Sequence, residues 1–414
     1  MFDLLLITYD FPFGTSETFL ETEIKYASRY FSKIYIISLS KNKKTTRELP
    51  LNVIAYKINR YYHFLDCLIY SIGKCFSKEA RNEYRDTRLL RNKPKLFKMI
   101  KSWIITWMID KRLFIAIKEL HLNLQNTVAY SYWLSASAYF LSRQNNFKYR
   151  LSRVHGFEVR DCEDYIAFRN YMDAHLDEIV FISEYTQNEY NEILKYILLH
   201  GTRAEQIISR LGVEEHGIYH NRDATNIDTL ILVSCSNINY IKRLDLIIKA
   251  IALLSNDKKI KWIHIGWGEL ADEIIQLSKE LLGSKGNISY NFLGAKSNKE
   301  VIEFYRKNPV DLFINASDNE GIPVSIMEAM SFGIPCIARA VGGNPEIIRD
   351  GISGYLLKKD ASPLDIAKLL EKYIDDESFR IKHAKVLEYF YNNYLASCNY
   401  EYFYNHIIRA VAKN

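Results

Sequence analysis

Two glutamates, Glu320 and Glu328, stand eight positions apart in the segment VDLFINASDNEGIPVSIMEAMSFG (310–333). Carboxylates are natural hydrogen-bond acceptors for paired hydroxyl groups. If a helix starts between them, its first backbone amides and its dipole favour a phosphate at the same place. Eight residues on an ideal helix return to within about 80° of the starting direction, so that both carboxylates can flank one ligand. The spacing predicts a site for an anionic ligand that carries hydroxyls, and the alternative is a capped helix with two solvated acids.

The elements that must position these acids follow from the same segment. The apolar run VDLFINA (310–316) predicts a buried strand, and NEGIP (319–323) predicts a turn. The run VSIMEAMSFG (324–333) has the composition of a short helix, with Pro323 suited to the first helical position and Gly333 to the helix end. One acid is therefore expected in the turn and the other on the helix.

Strand and helix patterns alternate along the whole chain, which is typical of α/β proteins with doubly wound parallel sheets. In the first half the predicted strands are DLLLITYD (3–10), KIYIISLS (33–40), NTVAYSYW (126–133), RLSRVHG (150–156) and DEIVFIS (177–183). In the second half they are TLILVSCS (229–236), IKWIHIG (260–266), NISYNFLG (287–294), VDLFINA (310–316) and IPCIARA (334–340). The polar stretch GIYHNRDATN (217–226) is the linker candidate between two domains.

The segment NASDNEGIPVSIMEAMSFGIPCIARAVGGNPEII (315–348) resembles the E-x7-E signature of the retaining glycosyltransferases of family 4. The acid pair arrives with EGIP, EAM, GIP and the GGNPE turn in order, and the similarity extends to much of the chain. This resemblance implies the GT-B fold, with two Rossmann-like doubly wound domains facing a central cleft.

The resemblance also implies the domain roles. Residues 1–220 are expected to form an N-terminal acceptor-binding domain with a basic aromatic insertion at about 60–120. Residues 221–395 are expected to bind the nucleotide sugar, and residues 396–414 to form a helix that crosses back to the N-terminal domain.

The family's phosphate loop is similar to NINYIKRLDLIIKA (237–250). Lys242 matches the lysine that holds the donor diphosphate, and such an ammonium would stabilise the leaving group. The family's arginine position is occupied by Asn237, and Arg243 is the candidate that compensates. The alternative is a surface Lys-Arg pair.

The resemblance assigns further donor contacts around this loop. Gly266 fits a G-x-G-E turn that lines the nucleotide pocket. Glu328 resembles the acceptor of hydrogen bonds from the ribose hydroxyls. Glu320 is the expected catalytic residue. Together with the amides of Gly321 and Ile322, it resembles the groups that contact the donor sugar in the family.

The opening loop FPFGTSETF (11–19) resembles that of polysaccharide-assembly members of the family. Gly14 would let the backbone approach the diphosphate, with Glu17 and Thr18 near the acceptor. The alternative is a turn followed by a capping box from Thr18 to Glu21.

The segment RVHGFEVRD (153–161) resembles the family's H-G-x-D/E element. It places His155 at the end of a strand, where the resemblance implies a catalytic role, against the alternative of a structural histidine. Glu158 is the acid of the same element.

Charge is unevenly placed in this chain of 414 residues with a net charge of +6. Residues 60–120 hold fourteen Lys or Arg against six Asp or Glu. The aromatic residues interleaved with them are Tyr61, Tyr62, Phe64, Phe76, Phe97, Trp103 and Trp107. This composition predicts attachment to an anionic membrane surface, and the alternative is a helix pair with an aromatic core face and a solvated basic face. Nucleic acid is not expected, because no recognition motif accompanies the charge.

The remaining composition bounds the chemistry and the compartment. The six cysteines lack CxxC and metal-ligand spacing, so neither structural zinc nor disulfides are expected. The start MFDLLLITYDF lacks the basic region of a signal peptide, and no apolar stretch approaches the length of about 20 residues that spans a bilayer. We expect a cytoplasmic protein, peripheral on the inner face of the cell membrane, that uses no metal and no cofactor.

The expected function is that of a retaining glycosyltransferase of the hexosyltransferase type. The resemblance implies transfer of a sugar from a nucleotide diphosphate, with UDP-sugar as the expected donor. The implied acceptor is a polyprenyl-diphosphate-linked glycan in surface polysaccharide biosynthesis. Two alternatives on the same fold are a nucleotide-sugar epimerase and a noncatalytic sugar-nucleotide-binding protein.

Overall fold

A computed structural model describes residues 1–14, 16–42, 44–58, 63–88, 90, 94–159, 165–195, 203–217 and 229–413. The chain divides into unit 1, Met1–Leu211 with Ser397–Asn414, and unit 2, Gly212–Ala396. The expected boundary at residues 220 and 221 lies outside the described residues, as do Arg60, Tyr61 and Tyr62 of the basic stretch.

Unit 1 is built on a parallel sheet whose central strands are continuous apolar runs, because a sheet covered on both faces is buried throughout. Its strands are β1 (Asp3–Thr8), β2 (Ile34–Ser38), β3 (Val53–Lys57), β4 (Thr127–Ser131), β5 (Tyr149–Val154), β6 (Glu178–Phe181) and β7 (Glu205–Ile208). They lie in the order β3-β2-β1-β4-β5-β6-β7, and every pair is parallel. The order changes direction between β1 and β4, so the loops after these two strands meet at one edge.

The helices of unit 1 pack around this sheet and supply the rest of its core. They are α1 (Leu20–Ala27), α2 (Phe64–Lys74), α3 (Lys78–Thr87), α4 (Leu96–Glu119), α5 (Ala136–Ser142), α6 (Arg169–His175) and α7 (Glu184–Leu194). Short 3-10 turns lie at Leu124–Asn126 and Phe157–Val159. The predicted insertion contains α2, α3 and α4, and Trp103 and Trp107 of α4 are buried in the core.

Unit 2 repeats the same design with a second parallel sheet. Its strands are β8 (Leu230–Cys235), β9 (Ile260–Ile265), β10 (Ile288–Phe292), β11 (Leu312–Asn315), β12 (Cys336–Arg339) and β13 (Gly354–Leu357). The order is β10-β9-β8-β11-β12-β13. It changes direction between β8 and β11, which brings the loops after these strands together.

The helices of unit 2 follow its strands in turn. They are α8 (Leu244–Ala252), α9 (Ala271–Leu282), α10 (Asn298–Lys307), α11 (Val324–Met330), α12 (Asn344–Ile347), α13 (Pro363–Asp375) and α14 (His383–Asn393), with 3-10 turns at Tyr240–Lys242 and Glu377–Phe379. The last helix, α15 (Ala396–Lys413), lies almost wholly in unit 1.

A buried ion pair joins α15 to the sheet of unit 1. Glu23 of α1 and Arg153 of β5 are almost completely buried, with 3.3 Å between Glu23 Oε1 and Arg153 Nη2. The same oxygen accepts a hydrogen bond of 3.1 Å from the hydroxyl of Tyr404 on α15, and Tyr132 donates to Glu23 Oε2 at 3.1 Å. These contacts fix the last helix by satisfying charges that burial would otherwise penalise.

We predict that Glu23→Ala destabilises unit 1 by about 3 to 5 kcal/mol, because it leaves the Arg153 guanidinium buried without its carboxylate. The exposed pair of Arg29 and Glu401, 3.6 Å apart, provides the matched control. Glu401→Ala should change stability by less than about 1 kcal/mol. Urea unfolding of both variants checks this, and equal costs would contradict the role of the buried pair.

Candidate active site

The loops that follow β8 and β11 meet at the carboxyl edge of the sheet in unit 2. The loop after β8 ends in the 3-10 turn Tyr240–Lys242. The side chain of Asn239 caps this turn by accepting hydrogen bonds from the backbone N–H groups of Ile241 and Lys242, at 3.1 and 3.2 Å. The cap fixes the backbone from which Lys242 extends.

Lys242 and Glu320 form an ion pair at this edge. The Lys242 ammonium Nζ lies 2.6 Å from Glu320 Oε1. The same oxygen accepts hydrogen bonds from Asn315 Nδ2 at 3.0 Å and from Ser317 Oγ at 2.7 Å. Three donors thus hold one carboxylate oxygen in place, in a group whose side chain is only 9% exposed.

The turn at Glu320 and Gly321 is held by close backbone packing. A Cβ on Gly342, whose φ is 52°, would lie 1.8 Å from the Glu320 carbonyl oxygen, and one on Gly343 would lie 1.9 Å from that of Gly321. Only glycine fits at such distances. Among the described residues, the backbone N–H groups of Gly321 and Ile322 donate to no acceptor. They remain available to a ligand beside Glu320.

The helix after the turn differs from the sequence expectation in two ways. Pro323 occupies the N-cap position, with α11 beginning at Val324. Glu320 lies in the turn before the helix, so the helical return angle between Glu320 and Glu328 does not apply. The structure thus has one acid in the turn and the other on the helix, as expected, and only the use of the helical angle between them is wrong.

Glu328 is buried within unit 2. Its carboxylate accepts a hydrogen bond from the side chain of Asn298, at the start of α10. Burial raises the pKa of Glu328 to about 7, and the hydrogen bond from Asn298 opposes this only in part. Burial, with the charge of Glu328 second, also raises the pKa of the Cys235 thiol at the end of β8 to about 12. Glu328 is thus close to the strand that precedes Lys242.

Arg243 is already paired in the structure. Its backbone has a left-handed φ of 48°, and its Nε lies 3.0 Å from Asp245 Oδ1. Its Nη1 lies 3.1 Å from Asp318 Oδ2. Asn237 is exposed in the loop before the 3-10 turn. The Arg243 guanidinium is the candidate to replace the family's arginine, whose position Asn237 occupies. It is paired with the carboxylates of Asp245 and Asp318 in this structure.

Gly266 lies at the end of β9 and has a φ of 141°. A Cβ there would lie 1.8 Å from the Ser236 carbonyl oxygen, and one on Gly268 would lie 2.3 Å from that of Ile238. Both glycines let the turn after β9 pack against the loop that leads to Lys242.

In unit 1, the loop after β1 is arranged around acidic side chains. A Cβ on Gly14 would lie 1.8 Å from the carboxylate of Asp10, which fills the space beside this glycine. That carboxylate accepts a hydrogen bond from Ser40 Oγ at 2.7 Å. A second acid, Glu17, is buried and accepts backbone hydrogen bonds from Asp10 at 2.7 Å and Phe11 at 2.6 Å. The contact of Gly14 with a donor diphosphate stays a prediction.

Thr18 is partly exposed, and the predicted capping box from Thr18 to Glu21 is wrong. The N-cap position of α1 is Phe19, and no side chain caps it. The Glu21 carboxylate instead forms an ion pair with Arg47. The glutamate of the Thr-x-x-Glu pattern thus contacts a residue that is distant in sequence, and it does not cap the helix.

His155 directly follows β5 and is 6% exposed. Its Nδ1 lies 3.7 Å from Glu158 Oε1, and its backbone N–H donates to Glu158 Oε2 at 2.9 Å. Neither ring nitrogen forms a hydrogen bond within the described residues. Such a buried imidazole is available to a ligand, and Glu158 holds it in place.

The structure thus brings Lys242, Glu320 and two free amides together in unit 2, and His155 beside the loop of Glu17 in unit 1. Sequence reasoning missed the residues that position these groups, which are Asn239, Asn298, Asn315, Ser317 and Asp318. The polar residues after the apolar run of β11 were the available signal. Across the described part of the chain, no group of three or more His, Cys, Asp or Glu side chains is arranged to hold a metal ion.

Comparison with known proteins gives the family. Residues 218–392 match the family described as Glycosyl transferases group 1. The N-acetyl-alpha-D-glucosaminyl L-malate synthase of Bacillus anthracis is 26% identical over 244 residues, which are 56% of this chain and 60% of that enzyme. The chain spans little more than half the length of such curated relatives.

Solved structures share the fold over nearly the whole chain. The apo form of the lipopolysaccharide outer core galactosyltransferase WaaB has a TM-score of 0.66 at 16% identity, covering 98% of this chain and 99% of that one. Anabaena Alr3699/HepE, solved in complex with UDP and glucose, has a TM-score of 0.65 at 12% identity, covering 99% and 100%. At these identities the likeness concerns the fold.

Residues 218–392 of unit 2 therefore form a domain of the glycosyl transferases group 1 family, and the chain shares the two-domain GT-B fold of the solved structures. The predicted fold class, two Rossmann-like α/β domains, is confirmed. The resemblance to retaining family 4 is consistent with this membership.

The raised pKa of Glu328 predicts a pH-dependent stability. Its folded pKa of about 7 exceeds the ordinary value of 4.5, so the folded protein binds this proton more tightly than the unfolded chain. The contribution is present at low pH and is lost as pH rises from about 4.5 through about 7. Glu328→Gln stays neutral, so its stability relative to the parent should rise across this window and level off above it. Urea unfolding at a series of pH values measures the difference, and a constant difference would contradict the assignment.

Proposed function

We propose that the protein is a retaining glycosyltransferase that moves a sugar from a nucleotide diphosphate donor, with UDP-sugar as the expected donor, to a glycan acceptor. The observation that carries this proposal is the contact of Lys242 with Glu320 beside the free N–H groups of Gly321 and Ile322. A cation, a carboxylate and two amide donors at one sheet edge suit a ligand with both phosphates and hydroxyls.

Each donor group has a role that follows from its charge. The ammonium of Lys242 neutralises charge that develops on the departing diphosphate. The carboxylate of Glu320 accepts hydrogen bonds from hydroxyls of the donor sugar, and the amides of Gly321 and Ile322 donate to its oxygens. Glu328 accepts from the ribose hydroxyls of the nucleotide. In this arrangement Gly266 shapes the loop around the nucleotide, while Arg243 supports the loop through its acid partners.

The proposed reaction retains the configuration of the donor sugar. The acceptor hydroxyl forms a bond to the anomeric carbon on the face from which the diphosphate leaves. The bond between that carbon and the diphosphate oxygen breaks, and the hydroxyl proton passes to the leaving diphosphate. We propose for His155, in unit 1, a hydrogen bond to a hydroxyl of a sugar substrate through a ring nitrogen that has no partner in the described structure.

We place the acceptor on a lipid carrier at the inner face of the cell membrane. Within the described residues no helix is long and apolar enough to span a bilayer. Support for a surface attachment comes from α2 and α4, which pack together and expose large apolar side chains. These include Leu65, Ile69, Phe97 and Ile105. The exposed lysines Lys95, Lys98 and Lys101 are interleaved with the apolar positions of α4, as on an interfacial helix.

The proposal is tested by incubating the protein with a panel of nucleotide sugars and following release of the nucleoside diphosphate. The proposal is supported if release of the nucleoside diphosphate increases when lipid-linked acceptor is added. It also requires that an α-anomeric donor gives an α-linked product, as determined by NMR. Free epimer without an acceptor would indicate an epimerase instead. Binding without release for every donor would indicate a noncatalytic sugar-nucleotide-binding protein.

We predict that Glu320→Gln and Lys242→Ala each lower turnover by about 10²-fold or more, which corresponds to about 2.7 kcal/mol of transition-state stabilisation. Lys249→Ala is the matched control, because this exposed lysine of α8 pairs only with Asp245 among the described residues. Steady-state rates with the best donor decide the matter. If both site variants run at the rate of the Lys249 control, the donor-site assignment fails.

A second prediction concerns the membrane. Changing Lys95, Lys98 and Lys101 to Ser should release the protein from anionic liposomes in a flotation assay, because each lysine near such a surface contributes about 1 kcal/mol. Binding by the parent should weaken as salt is added. The control changes three exposed lysines of unit 2, Lys279, Lys299 and Lys307, to Ser.

Equal flotation of the parent and the α4 variant would contradict the membrane role of this surface. Arg91 and Lys93 belong to the same basic stretch but lie outside the described residues, so the test does not depend on them.

A further inference from the structure

Aromatic rings gather around His155 at the carboxyl ends of β1, β4 and β5 in unit 1. Trp133 is their centre, with its ring 4.2 Å from the His155 ring between centroids. Phe157 lies 5.2 Å from Trp133, and Tyr9 and Phe19 each lie 6.3 Å from it. All four aromatic residues are partly or largely exposed, whereas His155 is buried. These five residues are called the aromatic cluster below.

The cluster is held in position by Glu17. Its backbone has a φ of 56°, and its buried carboxylate accepts N–H groups of Tyr9, at 3.1 Å, and of two further loop residues. The same carboxylate accepts the indole N–H of Trp133. Hydrogen bonds to a charged acceptor are stronger than neutral ones. The loop after β1 and the Trp133 ring are therefore fixed relative to each other before any ligand arrives.

His155 supplies a polar group to an otherwise apolar surface. Glu158 accepts from the backbone N–H of Leu134 at 3.3 Å and of His155 at 2.9 Å, and its Oε1 lies 3.7 Å from Nδ1 of the His155 ring. The other nitrogen, Nε2, is buried without a hydrogen-bond partner in the described residues. A buried polar atom left without a partner costs free energy. A hydroxyl brought by a ligand would satisfy it.

We propose that the aromatic cluster binds one pyranose ring of the acceptor glycan, with Trp133 as its stacking surface. A pyranose has an apolar face of C–H groups and a rim of hydroxyls, which matches a partly exposed aromatic ring beside an imidazole nitrogen. A lipid tail would leave His155 Nε2 without a partner. The carboxylates of Glu17 and Glu158 would repel a diphosphate, so the cluster takes a neutral sugar, and the carrier's diphosphate binds elsewhere.

That the bound sugar belongs to the acceptor rests on the proposed function. That the cluster binds a sugar rests on the cluster itself. Glu17 is then a positioning residue that acts through Trp133. The resemblance of the opening loop implies that Glu17 is near the acceptor. The hydrogen bond from the Trp133 indole explains how Glu17 would act there, by holding the stacking ring in place.

The test uses the full chain and saturation-transfer NMR with methyl glycosides of glucose, galactose, mannose and N-acetylglucosamine. We expect at least one glycoside to bind, with the strongest transfer on the C–H protons of one ring face. Trp133→Ala should weaken that binding by about tenfold. Trp133→Phe, which keeps a ring and loses the N–H, should bind more tightly than Trp133→Ala.

Two further variants guard against a folding defect. Phe157→Ala removes a partly exposed ring and should also weaken glycoside binding. Tyr402→Ala removes an exposed ring of α15, 65% exposed and outside the cluster, and should bind as the parent does. Circular dichroism of each variant confirms that the fold persists.

The outcomes separate the two proposals. If the parent consumes a nucleotide sugar but no glycoside binds, or if Trp133→Ala and Phe157→Ala both bind as the parent does, the sugar site is overturned and the proposed function stands. If a glycoside binds through Trp133 and no nucleotide sugar is ever consumed, the proposed function is overturned and the sugar site stands.

Discussion

The strand order of each sheet is the constraint on which both candidate sites depend. In a parallel sheet whose order changes direction beside its first strand, loops that are distant in sequence must leave the same edge next to each other. In unit 2 this places the loop after β8, which carries Lys242, beside the loop after β11, which carries Glu320. In unit 1 it places Tyr9 after β1 beside Trp133 after β4. The chemistry of each site is therefore a consequence of topology and of which polar residues end the strands.

Close backbone contacts turn this proximity into a defined geometry. Gly342 and Gly343 permit the loop after β12 to touch the carbonyl groups of Glu320 and Gly321. Gly266 does the same between the turn after β9 and Ser236. A side chain at any of these positions would collide with backbone, so these close contacts between the loops require glycine. The Glu320 carboxylate then needs only Asn315 and Ser317, from its own segment, to be oriented toward Lys242.

Much of this architecture was predictable from the sequence, because the central strands are buried on both faces and read as apolar runs. The strands β3, β7 and β13 were missed. Each lies at the edge of its sheet, and β3 and β7 have no fully buried residue and hence no clear pattern. Glu17 shows why side-chain roles were harder to predict. Its partner Trp133 lies 116 positions away, and no local pattern records such a contact.

The central claim is that the edge beside Lys242 receives the donor diphosphate, and calorimetric titration with UDP and with uridine tests it most directly. The difference between the two affinities isolates the diphosphate. The account predicts that UDP binds the parent protein more tightly than uridine does. In Lys242→Ala this advantage should fall by about tenfold or more, as expected for a charge-assisted contact. An advantage of UDP over uridine that is the same in the parent and in Lys242→Ala would contradict the account.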